Sequence, residues 1–197
     1  IIDFGNMENI PKKLENTEVV DLSNLFVMPT WCDAHTHSVF AGNRSNEYLM
    51  RLQGLTYKQI ADGGGGILKT TQEIKNISEQ ELYSISLKRI IKMIQNGSGG
   101  IEIKSGYGLT YESELKILSV IKKLKDNLPI EIKSTFLGAH AYPKELTKKE
   151  YLNLILNKMI PDFTNKKLVD YVDIFCEKEY FNVSDSEKII KKAKQLK

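Results

Sequence analysis

The sequence predicts an α/β fold of parallel strands and crossover helices, as in the first half of a (β/α)8 barrel. Short apolar runs alternate four times with segments of helical periodicity between residues 26 and 197. This alternation is typical of parallel sheets, because a crossover between parallel strands needs a connection that is usually a helix. A whole barrel takes roughly 250 residues, so four units make about half of one. A doubly wound sheet is the alternative.

The first strand–helix unit carries the clearest boundary signals. An apolar run from Phe26 to His37 predicts a strand that ends in His-Thr-His. Ser78 with Glu81 forms a capping-box pattern, apolar residues follow at helical spacing, and Asn96-Gly97 ends the helix.

The second and third strands are β-branched runs, at Ile101–Lys104 and Ile130–Leu137. Thr110 is the predicted start of the helix between them, with Glu112 and Glu114 in its first turn. Acidic residues are favoured there by the helix dipole.

The fourth unit is rich in lysine. A helical stretch at Lys144–Lys167 is predicted to be interrupted by Pro161, and a strand follows at Tyr171–Cys176. Ser184 with Glu187 resembles another capping box and predicts the start of the last helix.

The two ends of the chain suggest part of a longer protein. Residues 1–28 lack helical periodicity and are predicted to be part of a small β-domain, and 29–197 hold the four βα units. The chain begins without Met and stops inside a helical pattern. We therefore expect a fragment, with the remainder of the barrel missing.

Composition excludes several classes of protein. The chain is 41% hydrophobic and 27% charged, has no apolar run long enough to span a membrane, and carries a net charge of only +3. Neither membrane nor nucleic-acid binding is expected. Cys32 and Cys176 are far apart, which favours a reducing cytoplasm. Gly63–Gly66 lacks the Lys-Ser/Thr of a phosphate loop and is predicted to be flexible or closely packed.

The histidines carry the strongest chemical signal. His35 and His37 are two residues apart on a strand, so both side chains point to one face and could converge on a metal ion. On its own the pair fits a metal site and two surface histidines equally well. His140 also follows a strand, which places all three histidines at strand ends.

Several separated motifs occur in register with a known family. The segment Val27–His37 resembles the first barrel strand of the amidohydrolase superfamily. More specific similarity to imidazolonepropionases, the ring-opening enzymes of histidine degradation, lies in five further segments: residues 40–57, 64–67, 102–109, 135–140 and 172–177.

The resemblance implies a cytoplasmic hydrolase of the TIM-barrel amidohydrolase type. Such an enzyme uses a metal-activated water to hydrolyse the cyclic amide of 4-imidazolone-5-propanoate to N-formimino-L-glutamate. It implies one zinc or iron ion per subunit and a small-molecule substrate, with a homodimer left open. No Lys stands at the end of the fourth strand, where some amidohydrolases carry a bridging carboxylated Lys, which favours a single ion.

The resemblance also assigns roles to six residues. His35 and His37 are the expected metal ligands; Arg44, Tyr57, Tyr107 and His140 are the expected substrate-binding residues.

Each substrate-binding assignment has a structural alternative. Arg44 could form an ion pair with Glu47, Tyr107 could pack on the rim, and Tyr57 could belong to the core. His140 could be a third metal ligand or a structural histidine.

The catalytic groups themselves are not assigned. The activating carboxylate and the other metal ligands are expected beyond residue 197, so the fragment alone is expected to be inactive. Cys32 is not expected to be a nucleophile, because it lies within an apolar strand. Two other functions stay open: another cyclic-amide hydrolase or deaminase of the superfamily, and a non-catalytic half-barrel that binds or acts as a scaffold.

Overall fold

A computed structural model describes residues 4–9, 16–56, 59–60, 63 and 65–196. The strands are β1 (Trp31–Thr36), β2 (Ser98–Lys104), β3 (Glu131–Ala139) and β4 (Tyr171–Ile174). The α-helices are α1 (Ser45–Leu52), α2 (Ile67–Asn76), α3 (Glu79–Gln95), α4 (Tyr111–Asn127), α5 (Lys148–Leu154), α6 (Ile160–Asn165) and α7 (Val183–Lys194). A 3-10 turn spans Met7–Asn9, and a π-helical segment spans Ile155–Met159. None of the helices in these ranges has the length and apolar character that crossing a bilayer requires.

The strands form one parallel sheet in the order β1-β2-β3-β4. Strands that neighbour one another in chain order are expected for successive units of a barrel, whereas a doubly wound sheet reverses its order at a switch point. The predicted half of a barrel therefore fits the sheet better than the doubly wound alternative does.

The two faces of the sheet differ in polarity because side chains alternate along a strand. Ile101 and Ile103 of β2 and Phe136 of β3 are buried in the core that the helices cover. Glu102 and Lys104, between and after those isoleucines, point to the opposite face. That inner face is polar, and it leads to the strand ends where the histidines lie.

Two predicted helix starts are confirmed and one is wrong. Ser78 caps α3 with a complete capping box, and Thr110 caps α4. The last helix instead starts at Val183: Asn182 accepts a hydrogen bond from the Asp185 N–H, and the Asp185 carboxylate accepts one from the Asn182 N–H. This pair satisfies two free N–H groups at the helix start, so the predicted cap at Ser184 lies two residues too late.

Pro161 does not interrupt the lysine-rich helix as predicted. α5 passes through the π segment into α6, and Pro161 occupies the first turn of α6. A proline has no N–H to donate, and a π turn just before it shifts the hydrogen-bond register, so the backbone continues without a break.

The region before β1 is less regular than predicted. The first strand begins at Trp31 rather than at Phe26, and the described residues 16–30 hold no strand. Their apolar side chains are exposed, including Val19, Phe26 and Met28. The small β-domain over residues 1–28 stays a prediction.

Candidate active site at the carboxyl ends of the strands

Five aromatic rings gather at the rim where the strands end. The ring centroid of His37 lies 4.7 Å from that of Tyr107 and 5.1 Å from that of His140, with which it stacks. Tyr107 and His140 are 5.5 Å apart, and Phe175 meets His140 edge-on at 5.8 Å. The His35 ring lies 5.8 Å from His37. The three histidines, which the sequence places at strand ends, thus lie together with Tyr107 at one rim.

The topology explains why residues distant in sequence meet. His37 and His140 come directly after β1 and β3, Tyr107 lies three residues beyond β2, and Phe175 comes directly after β4. All four strands are parallel, so their carboxyl ends share one edge.

His37 has properties of a neutral metal ligand. Burial, and to a smaller extent the positive charges of His140, His35 and Lys104, lower its pKa to about 4. Its Nδ1 atom is buried and has no hydrogen-bond partner among the described residues. A neutral imidazole with an unpaired nitrogen fits a metal ion, which binds only deprotonated ligands.

A complete metal site is not present within the described part of the chain. His35 is exposed at the rim beside His37. No group of three or more His, Cys, Asp or Glu side chains in the described ranges could hold a metal ion. This gives no support to His140 as a third ligand.

His140 is held in one orientation by the backbone. Its Nδ1 lies 3.2 Å from the carbonyl oxygen of Gly106. A carbonyl only accepts hydrogen bonds, so Nδ1 carries the proton and Nε2 of the neutral ring is an acceptor. Burial lowers the pKa of His140, which favours that neutral ring.

Arg44 forms the ion pair with Glu47 that was its structural alternative, and it also lines a cavity at the cluster. Its Nε donates to Oε2 of the buried Glu47 at 2.7 Å. Arg44 also lines a cavity of about 370 Å³ together with Tyr107, His140 and Phe175. The ion pair uses only one edge of the guanidinium group, so it is compatible with a second contact in the cavity.

The glycine-rich loop packs against the same glutamate. Oε1 of Glu47 accepts a hydrogen bond from the Gly66 N–H at 3.1 Å. A Cβ atom on Gly65 would lie 2.8 Å from Cγ2 of Ile60. The loop is closely packed around Glu47, one of the two predicted possibilities, although Gly64 lies outside the described residues.

A polar network below the rim was not predicted from sequence. The buried Lys104 bonds to Glu102 at 2.6 Å and to Asp173 of β4 at 3.0 Å, and Thr135 of β3 donates to Glu102. Burial alone would raise the pKa of both acids and lower that of Lys104, but their mutual bonds outweigh it and keep all three charged. The sequence signal was the alternation of charged and apolar residues along β2.

Two further predicted residues have simple outcomes. Tyr57 lies outside the described residues, so its substrate contact stays a prediction. Cys32 and Cys176 are both exposed, and neither forms a disulfide.

Fold and site together define an α/β protein with a parallel four-stranded sheet, compatible with part of a barrel, and with histidines at the carboxyl ends of its strands. No family model matches the chain. The chain is 50% identical over 192 residues to an imidazolonepropionase of Flavobacterium johnsoniae, covering 96% of this chain and 46% of the relative. Identity to the imidazolonepropionases of Flavobacterium psychrophilum and Clostridium tetani is 48% and 42%, covering 99–100% of this chain and 48% of each relative.

The chain therefore belongs to the imidazolonepropionase family. It spans about half the length of the curated relatives it matches.

Proposed function

We propose that this chain is part of an enzyme that hydrolyses 4-imidazolone-5-propanoate to N-formimino-L-glutamate in histidine degradation. Water adds to the ring carbonyl and the ring C–N bond breaks, so that the former amide nitrogen ends as part of the formimino group. The observation that carries the proposal is the identity of up to 50% to imidazolonepropionases along nearly the whole chain. The convergence of His37, Tyr107 and His140 on one rim supports it.

His35 and His37 would hold one zinc or iron ion. Their position on one side of the β1 end and the unpaired Nδ1 of His37 support this role. A bound metal ion would lower the pKa of its water and polarise the ring carbonyl. The remaining ligands and the activating carboxylate would come from residues outside this chain.

The substrate would lie in the cavity that Arg44, Tyr107 and His140 share. A guanidinium group binds a carboxylate through two parallel hydrogen bonds, so Arg44 suits the propionate or a developing negative charge on the ring. Nε2 of His140 offers an acceptor for a ring N–H, since Nδ1 carries the proton. Tyr107 lines the same cavity as Arg44 and His140 and would supply a hydroxyl group there.

Four further features are proposed from the family resemblance alone. They are a complete TIM-type amidohydrolase barrel, a cytoplasmic location, zinc or iron as the metal, and a homodimer. They do not depend on the rim geometry.

The test uses the full-length protein and its three histidines as matched variants. His35→Ala and His37→Ala should each lose most of the metal, measured by elemental analysis, together with turnover of 4-imidazolone-5-propanoate. His140→Ala should keep the metal and lose turnover, because its role is substrate binding. Unchanged metal content in both His35→Ala and His37→Ala would contradict the metal assignment.

Substrate profiling separates the other functions. Turnover of another cyclic amide or an amine, without turnover of 4-imidazolone-5-propanoate, would favour a different amidohydrolase. A wild-type protein with neither metal nor turnover would favour a non-catalytic half-barrel.

A further inference from the structure

Glu114 is a fully buried carboxylate that faces only hydrogen-bond donors. It lies in the first turn of α4 with an exposed fraction of 0%. Its Oε1 accepts from the N–H groups of Gly108 at 2.6 Å and Leu109 at 3.2 Å, and its Oε2 accepts from that of Gly106 at 3.0 Å. The Ser105 hydroxyl adds a fourth bond.

Both side-chain oxygens of Glu114 must accept hydrogen bonds, because donors surround each of them. An ionised carboxylate only accepts hydrogen bonds, whereas a carboxamide presents an NH2 group to one of the donors. Burial raises the pKa of Glu114 more than the four hydrogen bonds lower it, and those bonds offset part of the cost of burying the charge. The carboxylate and the loop after β2 therefore determine each other's position.

The loop wraps closely around Glu114 and carries Tyr107. Gly106 and Leu109 adopt positive φ angles of 106° and 54°. A Cβ atom on Gly108 would lie 2.5 Å from the Glu114 nitrogen, so the backbone touches the first helical turn. Tyr107 stands between two residues whose N–H groups are bonded to one side chain. The backbone on both sides of Tyr107 is therefore held in place, which keeps the Tyr107 side chain at the rim.

The same loop orients His140. The Gly106 N–H bonds to Glu114, while the Gly106 carbonyl accepts from Nδ1–H of His140. The peptide groups before and after Gly106 thus connect the Glu114 carboxylate to the His140 ring. Any shift of Gly106 would move the acceptor that sets the His140 tautomer.

We propose that Glu114 is a positioning residue that fixes the Tyr107 side chain and the His140 tautomer through one loop. The inference rests on the proposed function, because it treats Tyr107 and His140 as substrate-binding groups. Glu114 itself takes no part in bond making. It acts by holding the backbone on which both contacts depend.

The first experiment compares Glu114→Gln with Glu112→Gln in the full-length protein. Glu112 lies in the same helical turn but is exposed, so its variant removes the same charge without touching the loop. Glu114→Gln should lower kcat/KM for 4-imidazolone-5-propanoate about 10-fold or more in folded protein with unchanged metal content. Glu112→Gln should keep both parameters. A lower Tm in Glu114→Gln with wild-type kcat and KM would overturn the proposal, because Glu114 would then be purely structural.

The second experiment needs neither the variant nor turnover. In the wild-type full-length protein, the amides of Gly106, Gly108 and Leu109 should exchange slowly with deuterium. Nitrogen-15 NMR of His140 should show the proton on Nδ1. Fast exchange at those amides, or a proton on Nε2, would overturn the positioning role even if the protein is active. Protected amides with the Nδ1 tautomer in a protein that does not turn over 4-imidazolone-5-propanoate would support the positioning role and reject the proposed function.

Discussion

The inner strands β2 and β3 and the outer strand β1 build the same rim in different ways. On the inner strands, Phe136 is 1% exposed and the loop that carries Tyr107 is fixed by the buried Glu114. On β1, Trp31 is 68% exposed and His35 is exposed. The loop that carries Tyr107 is thus packed within the described residues, whereas the strand that leads to the proposed metal ligands His35 and His37 lies at an edge of the described sheet.

The largest effect expected from this comparison is aggregation of residues 1–197 when they are expressed alone. In the described residues β1 pairs only with β2 and β4 pairs only with β3, so each has an unpaired edge. We expect aggregation and no turnover, measured by size-exclusion chromatography and an activity assay against the full-length protein. A monomeric, active 197-residue piece would show that the site needs nothing further.

The next effect compares a buried ring with an exposed one in the full-length protein. Phe136→Ala should lower the free energy of unfolding by about 3–5 kcal/mol, because it leaves a cavity in the core. Trp31→Ala should cost about 1 kcal/mol or less. Chemical denaturation measures both values. An equally large loss in Trp31→Ala would mean that residues outside this chain bury the Trp31 ring, so that its exposure here does not apply to the full-length protein.

A smaller effect is expected at Arg44, which follows β1 and lines the proposed substrate cavity. Arg44→Lys keeps the charge but loses the planar fork, so kcat/KM should fall about 10- to 100-fold. Arg51→Lys on the same helix is the control, and it should behave as wild type. Wild-type kinetics in Arg44→Lys would leave the ion pair with Glu47 as its whole role.

The smallest effect tests how β4 is attached to the inner strands. Asp170 accepts bonds from Lys125 and from the Ser134 N–H of β3. Burial alone would raise its pKa, but these bonds outweigh it and hold the pKa below the usual 3.8. A lowered pKa means that its contribution to stability is complete above pH 3.8 and disappears as the pH falls through the lower folded-state value.

Asp170→Asn should therefore destabilise the full-length protein by about 1 kcal/mol at pH 7. The difference from wild type should shrink below pH 3.8, measured by urea unfolding over a pH series. Asp126→Asn, in an exposed pair with Lys122, is the control and should have almost no effect. A constant difference at all pH values would contradict the role of the Asp170 charge.

The sequence by itself determined the order of strands and helices, the caps at Ser78 and Thr110, and the place of three histidines at strand ends. These features depend on local patterns, namely side-chain alternation, helical spacing and capping chemistry. Local patterns were insufficient at Pro161 and Ser184, because a π turn and a competing cap two residues earlier changed the outcome.

Only the tertiary structure separated Glu112 from Glu114. Both are acidic residues in the first turn of one helix, and sequence patterns treat them alike. The rotation of α4 against the sheet leaves Glu112 in solvent and buries Glu114 beneath the loop after β2. Three of its four donors are backbone N–H groups, which every sequence contains, so no residue pattern marks them. Their convergence on one carboxylate exists only once the chain is folded.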